Sequence, residues 1–266
     1  MKSVLTIAGS DSSGGAGIQA DIKTISFNGC YAESCITSLT AQNTTGVFGI
    51  MKVEPDFLQL QLDAVIKDIR PDAVKIGMLG DSSLIETTAK SLKKYKLENI
   101  VLDPVMISTS GTRLLEKAAE KVLEEKLFPI CTLITPNIPE AEALSGKKIK
   151  DFSDMETAAE YIVKQFGTSC LIKGGHSISN CNDFYCGYDL NEKWFRTKRI
   201  DNPNTHGTGC TLSSAIASNL AKGYSIIDSI AKAKKYITDC IKDGLSLGNG
   251  AGPLNHGFAL KGKYKN

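Results

Sequence analysis

The side chains with the most chemistry lie in a stretch late in the chain, Asn204-Thr205-His206-Gly207-Thr208-Gly209-Cys210-Thr211, which leads into a small-residue apolar run over 212–220. Successive free N–H groups at a helix start, backed by the helix dipole, make a nest for an anion, here at Gly207, Thr208 and Gly209. The plainer reading is a glycine-rich helix start with no ligand. Cys210 stands where the dipole lowers a thiol pKa, and a thiolate beside an anion nest is placed to take a proton. An ordinary cysteine at such a place is an inert small residue. His206 reads as a satisfied loop histidine rather than a base.

Near the start of the chain, Gly9-Ser10-Asp11-Ser12-Ser13-Gly14-Gly15-Ala16-Gly17 follows the first apolar run and opens an amphipathic one. Its glycines let backbone approach a ligand closely. Within it, Gly15-Ala16-Gly17-Ile18-Gln19-Ala20 loosely fits the dinucleotide fingerprint, although it lies too far from the strand and lacks the acidic partner expected downstream. A phosphate-binding loop of the G-x-x-x-x-G-K-[ST] form is absent. Carboxylates end two further apolar runs. Asp103 sits in Leu102-Asp103-Pro104-Val105-Met106, and Asn137 and Glu140 stand three apart at a loop-to-helix junction, where they can share one face. Such hard oxygen donors suit Mg2+, which keeps most of its waters; the plain alternative is a glutamate favoured by a helix N-terminus. Lys173, in Lys173-Gly174-Gly175-His176, offers a cation to a phosphate or is a solvated strand end.

Short β-branched runs over 4–8, 35–40, 73–76, 100–102, 133–135 and 170–173 alternate with amphipathic stretches over 17–27, 56–68, 82–95, 114–125, 155–166, 211–221 and 226–243. That alternation predicts an α/β fold with a mainly parallel sheet flanked by helices, and ligands at the strand C-termini. Residues 183–188 and 194–200 predict a small antiparallel hairpin at the sheet edge. Asp81 or Ser82 is expected to cap the third helix, and Ser153 with Glu156 to form a capping box. No linker or repeat interrupts 1–266, which reads as one domain.

The 266 residues are 42% hydrophobic and 23% charged, with a net charge of +2 spread among both signs. This gives no footprint for nucleic acid or an anionic membrane. The first apolar run is too short for a signal peptide or a membrane span, so a cytoplasmic protein is expected. Eight cysteines without any Cys-x-x-Cys read as thiols of a reducing compartment, and Cys181, Cys186 and His176 match no zinc spacing.

Taken in order, these segments resemble the hydroxymethylpyrimidine and phosphomethylpyrimidine kinases of the ribokinase-like superfamily. The resemblance spans nearly the whole chain, from Leu5-Thr6-Ile7-Ala8-Gly9-Ser10-Asp11 through Ala41-Gln42-Asn43-Thr44 and Lys75-Ile76-Gly77-Met78-Leu79 to Gly252-Pro253-Leu254-Asn255-His256. It implies a ribokinase-like three-layer sandwich, a homodimer, and direct phosphoryl transfer from ATP to an aminopyrimidine alcohol and its monophosphate on the route to thiamine. It further implies that Cys210 is the catalytic base over an anion hole at Gly207, Thr208 and Gly209. Asn137 and Glu140 would organise Mg2+ through water, Lys173 would contact ATP phosphate, and Asp103 would support both. Gly9, Asp21, Gln42, Met78 and Val105 would line the pyrimidine pocket. Two segments depart from the family pattern: 107–111 lacks an expected lysine, and 177–182 lacks an acidic flap. The rivals are a pyridoxal kinase of the same fold and, more remotely, a dinucleotide-dependent oxidoreductase.

Overall fold

A computed structural model describes residues 1–106, 115–175 and 181–260. In chain order the elements are β1 (Ser3–Asp11), α1 (Gly17–Phe27), β2 (Tyr31–Asn43), β3 (Gly46–Lys52), α2 (Pro55–Asp68), β4 (Ala73–Ile76), α3 (Ser82–Lys94), β5 (Ile100–Leu102), α4 (Lys117–Lys126), β6 (Leu133–Ile134), α5 (Ile138–Ser145), α6 (Phe152–Phe166), β7 (Ser169–Ile172), β8 (Asp183–Cys186), β9 (Glu192–Phe195), α7 (Thr208–Ala221) and α8 (Ile226–Asp243). The sheet runs β3-β2-β1-β4-β5-β6-β7-β8-β9. Its six central strands are parallel, and β3 at one edge and β8 and β9 at the other pair antiparallel.

Both faces of the sheet are covered, and alternate strand residues feed two cores. Leu5, Ile7, Val74, Ile76 and Ile134 pack with α2 to α6, while Val4, Ala73, Val101 and Leu133 pack with α1, α7 and α8. This double burial is why the parallel strands read as continuous apolar runs rather than as polar and apolar in alternation. The helices bury one stripe each; in α2 it is Leu58, Leu62 and Ile66, spaced by four. No helix among the described residues is long and apolar enough to cross a membrane.

The expected strands and edge hairpin are present, and α1 and α8 keep their expected bounds. The expected fourth helix begins at Lys117, and 107–114, including the segment lacking the lysine, lies outside the described residues. Residues 176–180 of the flap and His176 do so too. Two elements escaped the sequence reading. β3 is half-buried or exposed throughout, so no period of two marks it, and α5 has only eight residues. One cap is corrected: Asp151, not Ser153, opens α6 by accepting from Asp154 N, and Glu156 accepts instead from Trp194 Nε1 at 2.8 Å. Asp81 does cap α3.

α7 is wedged between the sheet, α1 and α8, and every residue from 211 to 221 is buried. This explains its Ser, Thr and Ala content: only small side chains let three helices and a sheet approach, and the hydroxyls of Thr211, Ser213 and Ser218 satisfy themselves on carbonyls one turn back. Ser214 instead donates to Asp21 Oδ1 at 2.7 Å. Asp21 Oδ2 accepts from Thr6 Oγ1 at 2.6 Å and from Lys75 Nζ at 2.8 Å, and both charged side chains of this pair are fully buried. Burial by itself would lower the Lys75 pKa, but the Asp21 carboxylate overrides it and holds the ammonium above its ordinary range. Removing one member of such a pair strands the other charge, at a cost of about 3–5 kcal/mol. Lys75→Met should therefore lower stability by about that amount in chemical denaturation, and Lys75→Met with Asp21→Leu should recover most of it; a single variant as stable as wild type would contradict the pairing.

Candidate active site

At the C-terminal ends of the parallel strands lies a cavity of about 910 Å³, roofed by the first turn of α7, within the size range of small-molecule sites. The sheet order sets out its contents. Gln42 of β2, Gly9 of β1 and Met78 after β4 come from one flank, Asp103, Val105, Asn137 and Lys173 follow β5 to β7 near the middle, and Asp183 opens β8 on the other flank.

The expected glycine-rich helix start borders the cavity. Gly207 caps α7 at φ +83°, and a Cβ there would sit 1.9 Å from Gly15 O, so only glycine fits. Thr208, Gly209 and Cys210 form the first helical turn and line the cavity, with Thr208 N turned back to Thr205 O at 3.3 Å. Gly209 is needed for approach: a Cβ there would lie 2.9 Å from Asp103 Oδ2. The expectation of a depressed Cys210 pKa is overturned. Burial pushes the thiol up to about 11; Lys75 pulls the other way, but the carboxylates of Asp21 and Asp103 add to the rise. The dipole at the helix start is outweighed because the half-buried thiol is poorly solvated and feels the carboxylates of Asp21 and Asp103.

Under the nest, Lys173 Nζ donates to Asp103 Oδ1 at 2.5 Å, and Asp103 also accepts from Thr135 Oγ1 at 3.3 Å. Burial alone would lower the Lys173 pKa, yet Asp103 and Glu140 raise it. Asn137 and Glu140 form a reciprocal capping box on α5: Asn137 Oδ1 accepts from Glu140 N at 2.9 Å, and Glu140 Oε2 accepts from Asn137 N at 2.8 Å. Glu140 Oε1 accepts weakly from Met106 N at 3.4 Å. Both side chains thus serve the helix, and each oxygen keeps a further lone pair toward the cavity. Burial pushes Glu140 up to about 7, with Lys173 opposing and Asp103 adding to the rise. Among the described residues no three His, Cys, Asp or Glu side chains group to hold a metal. Glu140, Asn137 and Asp103 do bring oxygen donors to the cavity, of the hard kind that suits Mg2+ held through water.

On the β2 flank the glycine-rich loop folds around an acid that the sequence reading had not singled out. Asp11 accepts from Ser13 N, Ser13 Oγ, Gly15 N, Ala16 N and His206 Nε2, at 2.7–3.1 Å. Burial would raise its pKa, but the bonds from His206, Ser13 and Ala16 hold it down to about 2. A carboxylate of the protein's own occupies the N–H groups that a dinucleotide pyrophosphate would need, which removes the oxidoreductase reading of Gly15 and Gly17. Gln42 faces this cluster, with its Nε2 3.4 Å from His206 Nε2 and its Oε1 3.2 Å from Thr40 Oγ1. Gly9 and Met78 touch: a Cβ on Gly9 would meet Met78 Cε at 2.6 Å. Asp21 is corrected. It is fully buried and does not line the cavity, because Lys75, Thr6 and Ser214 consume its oxygens beneath the floor.

The sequence reading also missed the far flank. Lys234 of α8 pairs with Asp183 and donates to Cys181 O at 2.8 Å, while Asp183 accepts from Gly174 N at 3.0 Å. These bonds hold the turn after Lys173. Thr197, Arg199, Asn202, Thr238 and Ile241 complete this side. No motif marks them, because a helix face and an irregular segment meet there only in three dimensions. All eight cysteines are free, and among the described residues none joins a group of three possible metal ligands.

A phosphate-sized nest, buried lysines paired to carboxylates, and a roofed cavity at the strand ends of a three-layer α/β sandwich define a ribokinase-like small-molecule kinase. Residues 11–255 match the phosphomethylpyrimidine kinase family model, and the chain belongs to that family. It is 45% identical to the hydroxymethylpyrimidine/phosphomethylpyrimidine kinase of Haemophilus influenzae over 96% of this chain and 97% of that one. It is 48% identical to the thiamine biosynthesis bifunctional protein ThiED of Geobacter sulfurreducens, spanning 97% of this chain but 53% of that longer one. Among solved structures, the ADP complex of Bacillus subtilis pyridoxal kinase superposes with a TM-score of 0.89 at 36% identity, covering 97% of this chain and 98% of that one.

The raised Glu140 pKa has a consequence for stability. Its protonated form is favoured on folding, so its contribution is whole below about pH 4.5, the value of an unperturbed glutamate, and is lost as pH rises through about 7. Buried Glu33 on β2 is pushed up to about 7 as well and acts in the same window. Glu140→Gln, which keeps an oxygen for the cap, should flatten the fall of Tm between pH 5 and 8, and Glu33→Gln should flatten it further; an unchanged slope in both would contradict these shifts.

Proposed function

We propose that this protein phosphorylates 4-amino-5-hydroxymethyl-2-methylpyrimidine and then its monophosphate, with Mg-ATP as donor, in thiamine biosynthesis in the cytoplasm. The observation that carries this reading is the convergence of Gly207, Thr208 and Gly209 with Lys173 and Asp103 at one nest, between a flank bearing Gln42 and a flank formed by α8. The family relationship supports it. The transferred phosphoryl would rest on the N–H groups of the nest, where positioning and charge stabilisation supply most of the rate. Lys173 would exchange its hold on Asp103 for a phosphate oxygen. Bound Mg2+ would neutralise phosphate charge; Glu140 and Asn137 would hold its waters, so Glu140→Gln should also raise the Mg2+ needed for half-maximal rate.

Gly9, Met78 and Val105 would pack against the pyrimidine ring. The Gln42 amide would read its edge, accepting from the 4-amino group and donating to the adjacent ring nitrogen, as glutamine reads adenine. Pyridoxal lacks that amine, which sets the pyridoxal kinase reading second despite the likeness in fold. Mass analysis of products from ATP with the pyrimidine alcohol, its monophosphate and pyridoxal tests the assignment; turnover of pyridoxal alone would overturn it.

A homodimer is supported by apolar side chains at the β3 edge: Leu39, Phe48, Ile50 and Met51 are exposed on β2 and β3, and Phe57 and Leu60 on α2. Leu39 and Met51 are cross-strand partners. Exposed apolar side chains on an open edge strand are a common feature of interfaces. Phe48→Asp with Met51→Lys should shift the mass in light scattering from dimer to monomer; a wild-type monomer would refute the dimer.

Cys210 is the proposed acceptor of the hydroxyl proton. Because its thiol is held up to about 11, only a small fraction is thiolate near pH 7, and kcat should climb with pH between 6 and 9. Cys210→Ala should lose about a hundredfold to ten-thousandfold in single-turnover transfer at saturating substrates and should flatten that climb. Transfer within about threefold of wild type would move the proton elsewhere.

A further inference from the structure

The Asp11, His206 and Gln42 cluster carries a constraint that proton accounting makes visible. Asp11 is held ionised, so its carboxylate only accepts hydrogen bonds. His206 Nε2 lies 2.8 Å from Asp11 Oδ2 and must therefore carry a proton, whatever the state of the other ring nitrogen. That nitrogen then has no lone pair to offer, and its single N–H is directed at Asp11. It also lies 3.4 Å from the Gln42 amide. At the other end of the amide, the single Thr40 hydroxyl proton is engaged at 2.8 Å with Ser10 O, so Thr40 Oγ1 presents a lone pair to Gln42 at 3.2 Å. The Gln42 backbone cannot adjust, since its N–H and C=O are both bonded to Ser12 Oγ, at 2.9 and 2.8 Å.

An amide turned about its last bond exchanges oxygen and nitrogen without changing shape, so hydrogen-bond chemistry decides which end goes where. With Nε2 toward His206, one N–H faces another. With Oε1 toward His206 and Nε2 toward Thr40, the amide nitrogen donates to the Thr40 lone pair, and an oxygen rather than a second N–H lies against the His206 N–H. We propose that His206, locked by Asp11, is a positioning residue that fixes the Gln42 amide with its oxygen toward His206 and its nitrogen toward Thr40, and so sets substrate specificity. One lone pair of Oε1 and one hydrogen of Nε2 remain for the ligand. They accept from an exocyclic amine on the His206 side and donate to a ring nitrogen on the Thr40 side. A ring that presents these groups in the reverse order meets a donor with a donor and an acceptor with an acceptor, and a ring that lacks the amine leaves Oε1 without a donor.

The inference rests on Gln42 reading the aminopyrimidine, and a double-mutant cycle separates the two. His206→Ala should raise KM for the aminopyrimidine alcohol about tenfold, as expected for one misplaced hydrogen-bond pair, with the loss falling on KM more than on kcat. In the Gln42→Ala background the same change should add less than twofold. With the 4-deamino analogue, which keeps the ring nitrogen but not the amine, His206→Ala should raise KM by less than with the aminopyrimidine alcohol. His206→Gln, which retains an N–H donor, should restore part of the loss. If alanine does not fold, His206→Phe fills the space beside Gly15 without an N–H and takes its place. Equal losses with and without Gln42 would overturn the positioning role. An unchanged KM in Gln42→Ala would overturn the reading of Gln42, and the positioning role with it.

Discussion

The buried pair of Lys75 and Asp21 ties together the elements beneath the nest. Asp21 from α1 accepts hydrogen bonds from β1, β4 and α7 through Thr6, Lys75 and Ser214. These are the elements that must meet if the first turn of α7 is to hang over the strand C-termini. A charge pair with no water around it has one satisfactory geometry, so it fixes register among the four elements more sharply than apolar packing does. It also sits close enough to Cys210 to act on its thiol, with Lys75 favouring the thiolate and Asp21 opposing it.

Above that pair, the cavity prepares for anions by pairing its own cations. Lys173 rests on Asp103, and Lys234 rests on Asp183. Neither lysine stands alone in a dry site, where its charge would be costly. On the proposed reading, a polyphosphate would offer Lys173 a second anion. Asp11 solves the corresponding problem on the opposite flank, where a carboxylate gathers the loop N–H groups that would otherwise be stranded under the roof. The chain therefore has two N–H nests of similar sequence appearance. One is filled from within and is structural; the other, at Gly207, is open to the cavity.

Several features were legible because they depend on neighbours in sequence. The period of the apolar runs, the glycines at Gly207 and Gly209, and the three-residue spacing of Asn137 and Glu140 each state a local geometry, and each local geometry is present. Glu140 and Asn137 show how far that extends. Their spacing announces a shared face, and the structure makes them a capping box that still borders the cavity. The same spacing is compatible with either role, so the sequence could not choose between them.

By itself the sequence determined the α/β order, the two sites where free N–H groups gather, and the identity of the catalytic candidates, since helix and strand periods and turn chemistry act over a few residues. Tertiary structure alone decided which charges are buried and which face the ligand. Asp21 went under the floor, Asp11 became the anchor of its loop, and the far flank arose from α8 meeting an irregular segment. It also reversed the expected state of Cys210. A helix dipole can be read from a glycine-rich start, but desolvation and the fields of Asp21, Asp103 and Lys75 come from residues over a hundred positions away, and those long-range electrostatic effects set the proton affinity of a thiol.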